Sequence, residues 1–142
     1  MKKFCFIIFS CFFVGCNLSE KKQKTIITSE VNFYKQSEMA ALMLLMYKKN
    51  AENKELIIHG KQPKQFPKEF LKIHTAKLTD STDRDGDFKT FSDYYLQTLK
   101  AVFVTSESSL KEKHNNVVNS CIACHEATCI GPIPKIKKLL IK

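Results

Sequence analysis

Glycine and proline are scarce in this sequence, four of each in 142 residues. A β-sandwich needs a turn roughly every 8–12 residues, usually built on those two residue types, so an all-β fold is disfavoured. No internal repeat and no low-complexity tract is present, which argues against a solenoid or a disordered array. The apolar stretch from Phe4 to Val14 is too short to span a bilayer as a stable helix, which takes about 20 residues. What remains is ordinary globular material, 44% hydrophobic and 26% charged, of a length that suits one domain.

The first residues read as an export signal. Lys2 and Lys3 supply a positive start, Phe4 to Val14 the apolar core, and Phe13-Val14-Gly15-Cys16 a small residue followed by Cys. That tetrapeptide resembles a bacterial lipobox, with Phe13 where Leu is usual. The resemblance implies that residues 1–15 are removed and that Cys16 becomes a lipidated first residue anchored in a membrane; a plain signal peptide is the alternative. Residues 16–29 are polar and Lys-rich, as a tether would be. The folded domain is expected over 30–130.

Four segments carry helical periodicity. Met39, Leu42, Met43, Met46, Asn50 and Ile57 recur at three- and four-residue steps, predicting an amphipathic helix over 30–59 stopped by Gly60. Pro63 and Pro67 break the pattern, and Pro67 suits the first position of a short second helix with Phe66, Phe70, Leu71, Ile73 and His74 as its apolar side. The run from Asp80 to Asp87 is a loop by composition. Its alternating aspartates suggest calcium, but an EF-hand loop closes on a Glu, and counting from Ser81 that place holds Ser92. A third helix is expected over 88–104, with Phe88, Phe91, Tyr95, Leu99 and Val102 inward and Asp93, Gln97 and Lys100 outward. Ser109 followed by Glu112 is a capping-box pattern that starts the fourth helix, where Leu110, His114, Val117, Cys121 and Cys124 share one face. Gly131, Pro132 and Pro134 end it. The basic tail over 131–142 alternates Lys with Ile and Leu and is expected to be solvated and partly packed, with a tail lying across the bundle end or a membrane surface as the alternative. Together these segments predict an all-α, antiparallel up-down-up-down four-helix bundle, its cofactor site built from inward side chains of facing helices.

The fourth helix carries the chemistry, in Cys121-Ile122-Ala123-Cys124-His125. Two thiols three residues apart on a helical turn project to one side. Cys-x-x-Cys alone would also serve disulfide exchange or zinc. Zinc wants a second ligand pair, and a redox motif wants the strand-to-helix turn of a βαβ unit; the sequence has neither. With His directly after the second Cys, the pentapeptide is the attachment signature of a c-type haem: each thiol forms a thioether to a vinyl group, and the imidazole is the proximal iron ligand. Cysteine use then follows. Cys5 and Cys11 leave with the signal, Cys16 takes lipid, Cys121 and Cys124 take haem, and Cys129 remains, expected as a small buried thiol with a redox or ligand role as the alternative.

A haem motif on the last of four helices, with the amphipathic pattern over 30–130, resembles the cytochrome c-prime superfamily, including its low-spin members. The resemblance implies one covalent haem held between the first and last helices, His125 proximal, and a side chain of the first helix on the distal side. Low-spin relatives place Met there; high-spin ones leave the iron open. Met46 is the expected distal ligand, because it lies well inside the first helix; Met43, one turn earlier, is the alternative, and Met39 is too near the helix start. A His–Met pair raises the haem potential and suits reversible electron transfer. His59, His74 and His114 are rival ligands, of which His74 is the one worth testing. Two copies can associate in such bundles.

Without Lys2 and Lys3 the chain keeps 21 basic residues against 14 acidic ones, a net charge of +7. That favours acidic redox partners or anionic headgroups, and export makes nucleic acid an unsuitable partner. The leading expectation is a periplasmic, membrane-anchored carrier of single electrons, not an enzyme. The rivals are a five-coordinate haem protein for nitric oxide or carbon monoxide, and a haem-free lipoprotein or thiol oxidoreductase.

Overall fold

The computed structural model describes residues 36–142. The expected signal, Cys16, the tether and the first residues of the first expected helix lie outside the described residues. Within them the fold is all-helical: α1 (Glu38–Ile58), α2 (Gly86–Val104), α3 (Leu110–Ala127) and the short α4 (Ile133–Ile136), joined by 3₁₀ turns.

The start of α1 corrects the expected boundary at residue 30. Ser37 is extended, with φ −66° and ψ 158°, and its hydroxyl accepts the Ala40 N–H at 3.1 Å. An N-cap of this kind satisfies one of the orphan donors of the first turn, so the helix begins at Glu38. Its end is as expected. Gly60 takes φ 67°, and the N–H groups of Gly60 and Lys61 bond to the Ile57 and Leu56 carbonyls at 3.0 and 2.8 Å. This is a Schellman close, and it needs a residue that tolerates positive φ.

The second expected helix is a 3₁₀ segment, Lys68–His74, and not an α-helix. The reason is a period of three. Pro67, Phe70, Ile73 and Ala76 are buried at every third position, while Leu71, expected inside, is 46% exposed. Three residues per turn put one such row on a single line, which an α-helix would spread around its axis. Arg84 then holds the segment, its guanidinium donating to the His74 carbonyl at 2.7 Å and to the Ala76 carbonyl. The aspartates around it serve as caps: Asp80 accepts the Thr82 N–H at 2.9 Å, and Asp85 accepts the Phe88 N–H at 2.7 Å and starts α2.

α2 begins two residues earlier than expected and buries Phe88, Tyr95, Leu96, Leu99 and Val102. α3 starts at Leu110 as expected, but no capping box forms: Ser109 is helical at φ −104° and ψ −1°, its side chain caps nothing, and a 3₁₀ turn over Glu107–Ser109 feeds the helix instead. α3 is the central element, packing on α2 most extensively and also on α1, α4 and the final turn Lys137–Leu139. The 3₁₀ segment 68–74 bridges α1 and α2.

The C-terminal tail is docked on the helices, as in the alternative and not in the mainly solvated form expected first. Pro134 does not end a helix but lies in the first turn of α4. Ile136 and Leu139 are buried against Val118. The Lys54 ammonium donates to the carbonyls of Lys138 and Leu140 at 2.8 and 2.9 Å. Asn115 exchanges two bonds with the Ile141 backbone, both 2.9 Å, and His114 Nε2 donates to the Leu139 carbonyl at 2.9 Å. These side-chain bonds satisfy a backbone that has little helix of its own.

Candidate functional site

A cleft of about 440 Å³ opens between the first half of α1, the C-terminal half of α3 and the segment after it. That is within the roughly 300–1,000 Å³ typical of small-molecule sites. One wall is sulfur-rich. Met39, Met43 and Met46 all line it, because steps of four and three place them on a single face of α1. Met39 and Met46 are buried and Met43 is half-buried. Asn50 continues the stripe; its amide donates to the Met46 carbonyl at 2.9 Å and approaches the buried Tyr95 hydroxyl at 3.5 Å. Burial holds that hydroxyl well above the ordinary range, with Cys121 adding to the shift and Asn50 opposing it.

The facing wall belongs to α3, where Cys121 and His125, one turn apart, line the cleft. Burial pushes the Cys121 thiol up to about 12, and the neighbouring Cys124 adds to this. Cys124 is half-buried and does not line the cleft; burial raises its thiol too, followed by the influence of Cys129. Thiols held protonated are the reverse of the lowered pKa that disulfide exchange uses.

His125 is oriented by the turn that follows it. Its Nδ1 lies 3.0 Å from the Cys129 carbonyl. A carbonyl can only accept, so Nδ1 carries the proton and Nε2 keeps a lone pair, the arrangement in which an imidazole ligates a metal. The Cys129 sulfur lies 3.2 Å from the same Nδ1 and lines the cleft, and this residue is exposed. The small buried thiol expected here is therefore corrected: α3 ends at Ala127, and the 128–132 turn carries Cys129 out of the core.

The rival histidines stay away from the cleft. His59 is exposed with Nδ1 2.7 Å from the Glu55 carbonyl. His74 has Nδ1 3.3 Å from the Ser92 hydroxyl and Nε2 3.4 Å from Asp93. His114 is buried under the tail, and burial lowers its pKa. No group of three or more His, Cys, Asp or Glu side chains placed to hold a metal ion occurs among the described residues.

Pro132, Lys135, Ile136 and Leu139 make a third wall. Sequence patterning missed it, although Ile133, Ile136 and Leu139 at steps of three carried the signal. Tyr47 was equally hidden: it lines the cleft one position off the methionine stripe, with the Lys135 ammonium 4.7 Å from its ring centroid.

Most, but not all, of the donor set a c-type haem would need borders the cleft, since Cys124 does not line it. A thiol, an imidazole with a free Nε2 and thioether sulfurs border one largely apolar space, with the second thiol one turn along α3. No protein-family model matches the chain, and neither the curated proteins nor the solved structures contain a match to it.

Proposed function

We propose that this chain is an exported, membrane-anchored c-type cytochrome that passes single electrons between redox proteins. The observation that carries the reading is the single cleft bordered by Cys121, His125 and the three methionines of α1. In this reading α1, the 68–74 segment, α2 and α3 are the four elements of an up-down bundle like that of the cytochrome c-prime superfamily, with the haem motif on the last. Cys16 carries the lipid, acidic redox proteins dock on the basic surface, and two copies can pair.

The residues divide the work. Cys121 and Cys124 tether the porphyrin by thioethers, which requires the Cys124 side chain to turn toward the cleft. His125 offers Nε2 to the iron, its ring fixed by the Cys129 carbonyl. Met46, or else Met43, would hold the iron from α1 through its thioether sulfur. The apolar side chains of α1 and the C-terminal segment keep water out. When bound, the haem supplies a ferric–ferrous couple whose potential a His–Met pair sets high. A ligand pair fixed by packing changes little between the two states, so the protein acts as a carrier and not as a catalyst.

The test is full-length chain matured in a periplasm equipped for cytochrome c assembly. The protein should stain for covalent haem in a denaturing gel and give a six-coordinate, low-spin spectrum that carbon monoxide does not alter. Absence of stain sinks the reading. A high-spin spectrum with ready carbon monoxide binding keeps the haem and replaces electron transfer by gas binding.

A further inference from the structure

The cleft is apolar but carries one formal charge on its walls. Of its lining residues Lys135 is the sole Lys, Arg, Asp or Glu. It comes from α4, the short helix held in place by the buried Ile136 and Leu139 and by the bonds from Lys54, His114 and Asn115 to the tail backbone. Its side chain is exposed and its ammonium lies 4.7 Å from the centre of the neutral Tyr47 ring, a weak contact that an anion displaces readily. Lys135 makes no ion pair among the described residues. The nearby lysines are differently engaged: Lys49 is paired with Glu52 at 2.9 Å, and Lys54 donates to two tail carbonyls.

A cation without a counter-ion at the edge of an apolar cleft selects an occupant of matching chemistry, a largely apolar body that carries an anionic group. An unpaired carboxylate against such walls is costly, and a lysine beside it removes much of that cost. A porphyrin with propionate side chains has this chemistry. We propose that Lys135 is the carboxylate-binding residue of the cleft, pairing with a haem propionate, and that the C-terminal segment is docked where it is to present that charge. The proposal rests on the haem reading above and extends it to a residue outside the Cys-x-x-Cys-His motif. It also gives the docked tail a role, since α4 adds to the site the charge that α1 and α3 do not supply.

The experiment uses the matured holoprotein with Lys135→Gln, Lys135→Glu and Lys135→Arg, and Lys137→Gln as a control of equal charge change at an exposed position off the cleft. Circular dichroism and haem stain verify folding and loading of each. The readouts are the resonance Raman propionate-bending band and the midpoint potential. In Lys135→Gln the band moves, and the equilibrium constant for reduction falls about two- to threefold, the size expected for a charge on an exposed side chain that solvent screens. Lys135→Glu falls further, Lys135→Arg restores both readouts, and Lys137→Gln stays at wild type. An unmoved propionate band in loaded Lys135→Gln overturns the assignment and leaves the haem reading standing, as does a Lys137→Gln shift of equal size. Wild-type protein without haem overturns both.

Discussion

The docking of the tail makes a quantitative prediction through Leu139. Its side chain is 4% exposed and packs with Val118 and Ile136, with half-buried Tyr47, Ala51 and Ile122 around them. Its carbonyl, a separate attachment, accepts from His114 at 2.9 Å. Leu139→Ala removes the packing and leaves the carbonyl in place. A buried Leu→Ala change costs about 2–5 kcal/mol, and a small cluster at the edge of a fold relaxes enough to put this one near 2. For a domain of this size 1 kcal/mol is worth about 4 °C, so the midpoint of thermal unfolding should fall by about 8 °C. The assay is a melt followed by circular dichroism, with amide hydrogen exchange over 133–142 read alongside it. Exchange should quicken first in that segment and at the end of α3. If local opening of the tail is easier than 2 kcal/mol, the melt shifts less while the exchange change stays local. A double mutant with His114→Gln should show coupling above about 0.5 kcal/mol, because both changes act on one docked element. A melt within 2 °C of wild type together with unchanged exchange over 133–142 would refute the packing argument.

Three further predictions concern the site, the acid limb and the anchor. Met46→Ala in holoprotein should turn a low-spin spectrum high-spin and admit carbon monoxide, while Met43→Ala, at a half-buried position, should cost packing alone, below the roughly 2–5 kcal/mol of a fully buried site; the reverse pattern assigns Met43. Burial holds the His114 pKa below its ordinary 6.5 against the raising effect of the Leu139 carbonyl, so the unfolded chain takes up the proton first as pH falls. The neutral imidazole therefore contributes fully above pH 6.5 and progressively less below it; melts from pH 8 to pH 5 should show the decline in wild type and a shallower one in His114→Gln. Cys16→Ser should move the protein from the membrane fraction to the soluble one or block its processing, and soluble wild-type protein whose first residue is not Cys16 rejects the lipobox.

How far the sequence announces the structure depends on the period of each segment. α1, α2 and α3 are legible because Met39, Met43, Met46 and Asn50, or Phe88, Tyr95, Leu99 and Val102, repeat at the helical step over several turns. The 68–74 segment misleads because Phe70, Leu71, Ile73 and His74 satisfy a helical count, while the buried row follows a step of three that begins at Pro67. Ser109 and Glu112 have capping-box spacing but not the backbone; a preceding 3₁₀ turn already supplies the helix start. The site is legible where residues are local, as in Cys121-Ile122-Ala123-Cys124-His125. The Cys129 carbonyl on His125 and Lys135 at the third wall escape it. Each depends on where a turn puts a backbone group or a charge, and that is fixed by long-range contacts such as the bond from His114 to Leu139.

The third wall of the cleft is drawn from residues 132–139, which follow the Cys-x-x-Cys-His motif in the chain. A polypeptide emerges in order from the ribosome, so Cys121 and His125 arrive before the segment that forms this third wall. Of the two motif thiols Cys121 borders that cleft, and burial holds it at about 12. The chain order therefore completes the cleft only after its sulfurs and imidazole have been made.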